Sequence, residues 1–140
     1  MPVAQCQRLF TPAGEELWVD GGRPNDVMPS DGRTERGMVC TTGAGDGFTI
    51  WTLADFDTDA HYARYVRVTP ASRCGFVEVR CAAIDERRTG VTVGYELTAL
   101  AAQAEHALDA FEGSAFTAMI EGWRAAIAAR LPQLRVAGIR

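Results

Sequence analysis

The side chains best suited to chemistry are Trp18, Trp51, Val66, Val68, Val77, Val79, Tyr95, Phe111, Met119 and Trp123. All are aromatic or apolar. Walls of this kind, with few polar groups among them, suit a small hydrophobic or aromatic ligand. The acid–base groups available are mainly the Tyr95 hydroxyl, with His106 as a further candidate at a cavity mouth. Other chemistries find less support. GAGDG (Gly43 to Gly47) lacks the Lys-Ser/Thr of a phosphate loop and lies between two strand-like runs, so it reads as a hairpin turn. DFDTDA (Asp55 to Ala60) begins like a calcium loop, but Ala60 stands where glycine is needed and Val66 where the bidentate glutamate is needed. His61 and His106 lie far apart with no ligand spacing around them, and no metal or cofactor is expected. Spacing alone assigns no Ser-His-Asp or Cys-His set, so the catalytic residues stay unknown.

An apolar site needs a scaffold with one dry face. Apolar residues recur at Leu100, Ala104, Leu108, Phe111, Ala115, Met119, Trp123, Ile127 and Leu131, in steps of three and four. This spacing predicts one amphipathic helix over Ala101 to Leu131, roughly 45 Å long at 1.5 Å per residue. Gly113 and Gly122 interrupt it, and either allows a bend. Such a helix needs a broad curved sheet beneath it. Strand-like runs precede it at Gly37 to Thr42, Phe48 to Asp55, His61 to Thr69, Ser72 to Ala83 and Thr89 to Thr98. Their links are short, which suits antiparallel hairpins.

Alternation then sets the faces. Val91, Val93, Tyr95 and Leu97 share one, and pairing across Ile84 to Arg88 adds Val77, Val79 and Cys81. A two-residue turn at Pro70-Ala71 would add Val66 and Val68. The opposite, mostly wet face would carry Tyr65, Arg67, Phe76, Glu78 and Arg80, with Arg67 placed to pair with Glu96. Before the strands, Pro2 to Val19 reads as two short helices. Thr11 caps the second, and Pro12 occupies its first position. Gly21 to Arg36 reads as a loop.

The wording of several segments is similar to that of the SRPBCC superfamily. LFTPAGEELWV (Leu9 to Val19), YVRVTP (Tyr65 to Pro70), VTVGYELTAL (Val91 to Leu100) and AFTAMIEGWRAAI (Ala115 to Ile127) carry the resemblance. The resemblance implies an α+β helix-grip fold. In it a curved antiparallel sheet of five or six strands wraps a long C-terminal helix, with two short helices ahead, as a single domain over residues 1–140. It also implies a cavity that holds a lipid- or polyketide-like molecule. Some members are polyketide cyclases or aromatases, and others bind proteins, so both stand as alternatives. Members usually open with a β-strand. Here the chain reads as helical from its start, which would leave a sheet edge open and favour a homodimer.

Composition bounds the rest. The chain has 140 residues, 47% hydrophobic and 23% charged, enough for one real core. The net charge of −4 argues against a nucleic-acid partner. No apolar run approaches the ~18 residues of a membrane span. MPVAQCQRLF shows no export signal, and Cys6, Cys40, Cys74 and Cys81 are too scattered for CxxC pairs. A cytoplasmic location with free thiols is therefore expected.

Overall fold

The computed structural model describes residues 1–21 and 23–136. Two short helices, α1 (Val3–Arg8) and α2 (Pro12–Glu15), come first. Thr11 caps α2, its Oγ1 accepting from the Gly14 N–H at 3.1 Å, and Pro12 opens the helix. Both features are legible in the sequence. Gly14 lets the two helices touch: a Cβ there would stand 1.8 Å from the Arg8 carbonyl oxygen.

Six strands follow: β1 (Asn25–Met28), β2 (Val39–Thr42), β3 (Thr49–Asp57), β4 (Tyr62–Thr69), β5 (Arg73–Asp85) and β6 (Arg88–Ala99). They form one antiparallel sheet in sequence order. A 3-10 helix (Ala102–Phe111) and then α3 (Gly113–Val136) complete an α+β architecture. No helix among the described residues is long and apolar enough to cross a membrane.

Three expectations need correction. First, β1 lies inside the segment read as a loop. Its residues are mostly exposed and its pairing with β2 is irregular between Asp26 and Met28, so alternation gives no signal there.

Second, the register of β4 is shifted by one. The loop is Pro70-Ala71-Ser72, so Thr69 pairs with Arg73. The turn closes with the Ser72 N–H on the Thr69 carbonyl at 3.0 Å, and Ala71 adopts φ 59°. One extra residue moves every β4 side chain to the other face. Tyr65 therefore sits opposite Val77 and Arg67 opposite Gly75, both on the inner face with Val79 and Cys81. Val66 and Val68 point outward, half-buried beside Phe76, Cys74 and Ile50. The Arg67–Glu96 pairing does not form. Across β5 and β6 the expected faces hold, with Val77 opposite Tyr95, Val79 opposite Val93 and Cys81 opposite Val91.

Third, the long helix is broken. Glu112 is extended, and Gly113 takes φ 52°, a left-handed conformation that glycine adopts without steric cost. The stretch before the break is a 3-10 helix, in which residues three apart line up. Leu108 and Phe111 share such a line, both half-buried.

The core has two centres on the inner face. One gathers Cys6, Leu9, Phe10, Trp18, Val79, Cys81 and Leu134 beneath α3. The other gathers Met38, Leu53, Ala63, Tyr65 and Val77. A cavity opens between the sheet and the helices.

Candidate functional site

The cavity has a volume of about 370 Å³. Its sheet wall is Cys40 and Thr42 from β2, Trp51 from β3, Tyr65 and Arg67 from β4, Val77 and Val79 from β5, and Tyr95 from β6. Phe10, Pro12, Glu15, Trp18 and Val19 close one side, and Phe111, Met119 and Trp123 form the cover. Of the residues singled out from the sequence, all but Val66 and Val68 meet here. Those two lie on the opposite face of β4 for the register reason given above. His106 is fully exposed on the 3-10 helix, 3.5 Å from Asp109.

The rings are held by their own contacts. Trp18 donates its indole N–H to the Leu9 carbonyl at 2.7 Å, and its ring lies 6.0 Å from Phe10 and 5.8 Å from Trp123. Trp51 donates to Thr42 Oγ1 at 2.9 Å and meets Tyr65 edge-on. Tyr95 stacks on Phe111 at 5.4 Å and reaches Phe116 and Trp123 at 5.5 and 6.5 Å. Each buried indole or phenol donor with a partner costs little to bury, while its ring presents apolar surface to the cavity.

Sequence reasoning missed the polar part of the site. Glu15 ends α2 one turn before Trp18, whose N–H bonds the Glu15 carbonyl at 3.1 Å. This short turn brings both side chains to the cavity. Glu15 is half-buried and lines the cavity, and burial raises its carboxyl to about 7. Burial also raises the Tyr65 phenol, with the Glu15 charge adding to the effect, and Tyr65 donates to the Phe10 carbonyl at 2.7 Å. The Cys40 thiol is pushed up to about 11 by burial, then by Glu15 and Asp26.

At the other end stands Arg67, 7% exposed. Its guanidinium lies 4.8 Å from the Trp51 ring, 5.0 Å from Phe111 and 5.9 Å from Tyr95. Burial pulls it below its ordinary value. The Tyr95 phenol works against this, and the charge of Arg73 adds to it. Burial likewise pushes Tyr95 up to about 12, and Arg67 opposes that rise. The only sequence signal for Arg67 and Tyr65 is the count of residues in the Pro70 loop. The run Tyr65-Val66-Arg67-Val68 alternates equally well in either register.

A second cavity of about 310 Å³ lies behind Trp123, bounded by Cys6, Phe10, Val91, Val93, Ile127 and Leu131. Phe10 and Trp123 line both cavities and stand between them. Cys6 and Cys81 lie in the same core, their thiols hydrogen-bonded to each other, which lowers Cys6 and raises Cys81.

The arrangement can enclose an apolar body, offer a neutral-range carboxyl on one side, and present a cation at the other. Compared with known protein families, curated proteins and solved structures, the chain matches none of them.

Proposed function

We propose that this chain is a helix-grip domain of the SRPBCC type that binds a small hydrophobic or aromatic molecule in the main cavity. The observation that carries the reading is the cavity itself. It is ring-lined, and its volume of about 370 Å³ falls within the ~300–1,000 Å³ of small-molecule pockets. Thermal-shift screening of fatty acids, flavonoids and aromatic polyketide surrogates is the test. One class is expected to raise the melting temperature, and Val79→Trp, which fills the cavity, to abolish that rise. No stabilisation by any class, with a cavity found filled by its own side chains, would defeat the reading.

Glu15 favours a second reading, an enzyme of the polyketide cyclase or aromatase type. Such a step needs a group that takes a proton beside a carbonyl and returns it, and a carboxyl titrating near neutrality is matched to that work. Tyr95 stands in the same cavity as a donor for a substrate carbonyl. Turnover of a polyketide surrogate should then vanish in Glu15→Gln while binding persists. Binding without turnover in the unaltered chain leaves the first reading alone.

A further inference from the structure

Arg67 is out of place in an apolar wall. The buried inner face of the sheet around it is Leu53, Ala63, Tyr65 and Val77, none of them charged at neutral pH. Burying a cation is costly unless it is paired and hydrogen-bonded. Yet Arg67 forms no ion pair with a described residue. Its Nε is sealed from solvent without a hydrogen-bond partner. The Tyr95 phenol interacts with the guanidinium through its polar hydroxyl, but a neutral phenol leaves the positive charge without a counter-charge. The rings of Trp51 and Phe111 offset part of the desolvation through their π-faces, but they supply no acceptor.

A second cation makes the imbalance larger. Arg73, on the same face next to the Pro70 loop, stands 5.1 Å from the Phe111 ring that Arg67 also contacts. Its Nη1 donates to Ser72 Oγ at 3.0 Å, and its Nε also lacks a partner. Two guanidinium groups thus flank one ring, with no carboxylate of the described residues within ion-pairing distance of either. The acid of the cavity, Glu15, is not among their partners. A guanidinium presents a planar fork that matches an oxyanion, and a carboxylate best of all.

We propose that the molecule held in this cavity is an anionic amphiphile. Its carboxylate, or an equivalent oxyanion, docks on Arg67 with support from Arg73. Its apolar or aromatic body runs past Tyr95 and Trp123 toward Trp18. This inference rests on the cavity reading above and adds the polarity of the ligand and its direction. A purely structural Arg67, stacked to hold Phe111 in place, would affect folding but would not distinguish an anion from its neutral analogue.

Two fluorescent probes separate these outcomes, because anilinonaphthalene sulfonate and N-phenylnaphthylamine share the ring system and differ in the anionic group. Titrated into the full chain, the sulfonate is expected to bind at least about tenfold more tightly than the neutral probe, the ratio of one buried charge-assisted pair. Arg67→Met should remove that preference and leave the neutral probe's affinity within about twofold. Arg67→Lys, which keeps the charge and loses the fork, should restore part of it. Should Arg67→Met fail to fold, the unaltered chain and Arg67→Lys still decide the matter. Equal affinities for the two probes, or a sulfonate preference that survives in Arg67→Met, overturn the anionic ligand while leaving the cavity reading intact. Binding of neither probe removes both.

Discussion

The sheet wall and the helical cover of the cavity are built in different ways. Leu53, Ala63, Tyr65, Val77 and Val79 of the wall are all buried. The 3-10 helix Ala102–Phe111 buries no residue, and along α3 up to Leu134 only Leu134 itself is buried. The wall is knit by the hydrogen bonds of consecutive hairpins and packs against α1 and α2. The cover instead rests on rings: Tyr95 props Phe111, Phe116 and Trp123, and Trp18 props Trp123. Rings that reach across a gap keep it open, whereas close-packed aliphatic chains would fill it. The void is therefore a consequence of how the cover is supported, and the two regions should respond differently to the same kind of damage.

The largest contrast is in stability. Leu53→Ala deletes a fully buried side chain in the wall, and a loss of about 3–4 kcal/mol is expected from transfer and cavity terms together. Leu108→Ala, the same change on the half-buried 3-10 helix, should cost less, about 1–2 kcal/mol, because part of its surface already meets solvent. Urea denaturation of both variants measures the difference. Equal losses would show that the cover is packed as tightly as the wall.

The same contrast explains what could be read from the sequence. The β5–β6 hairpin was legible because both faces alternate cleanly up to a turn marked by Asp85, which accepts from the N–H groups of Arg87 and Arg88. The α2 cap at Thr11 and Pro12 was legible for a similar local reason. The register of β4 was not. It depends on one residue in the Pro70 loop, and the left-handed position there is held by Ala71, where glycine or asparagine would have announced it. That single residue turns Tyr65 and Arg67 inward, where a loop one residue shorter would turn Val66 and Val68. The break in the C-terminal helix was equally hidden. Two glycines interrupt the apolar stripe, and nothing local tells that Gly113 ends a segment while Gly122 sits within α3. The apolar half of the site was thus visible as pattern, and its polar half depended on tertiary register.

Glu15 provides the next largest effect. Burial raises its folded-state value from 4.5 to about 7, so the folded chain holds this proton more firmly than the unfolded chain does. Stability is therefore highest below pH 4.5 for this group, and it falls as pH rises through the window up to about 7. The loss reaches about 3 kcal/mol at most, since each unit is worth about 1.4 kcal/mol. Its neighbours Tyr95 and Cys40, at about 12 and about 11, titrate above that window, as does Tyr65, and Arg67 stays charged throughout it. Glu15→Gln should be more stable than the parent above pH 7 and equal to it near pH 4.5. Parallel stability curves for the two chains would place the carboxyl in water.

Trp123→Ala tests the props. The ring contacts Trp18 and Tyr95 and separates the two cavities, but it is only half-buried. A loss of about 2 kcal/mol is expected, below the ~3–5 of a fully buried aromatic. The two cavities should merge, so a larger apolar ligand should be accepted, read as a thermal shift the parent does not show. A loss as large as that of Leu53→Ala would mean the cover is integral to the core.

The smallest effect concerns the break itself. At φ 52° Gly113 sits where an alanine pays about 1 kcal/mol for its Cβ. Nothing crowds the position, so the cost would come from backbone conformation alone. Two responses are open to Gly113→Ala. The chain can keep the break and lose that stability, or it can continue α3 backward into the 3-10 segment, as the apolar stripe alone would suggest. Phe111 decides between them. It is stacked on Tyr95 and flanked by Arg67 and Arg73, and a continuous helix would rotate it out of that setting. The expected result is a small drop in melting temperature with an unchanged far-ultraviolet helical signal. A gain in helical signal with undiminished stability would show that the ring contacts do not hold the break, and that the cover has a second arrangement close in energy to the one described.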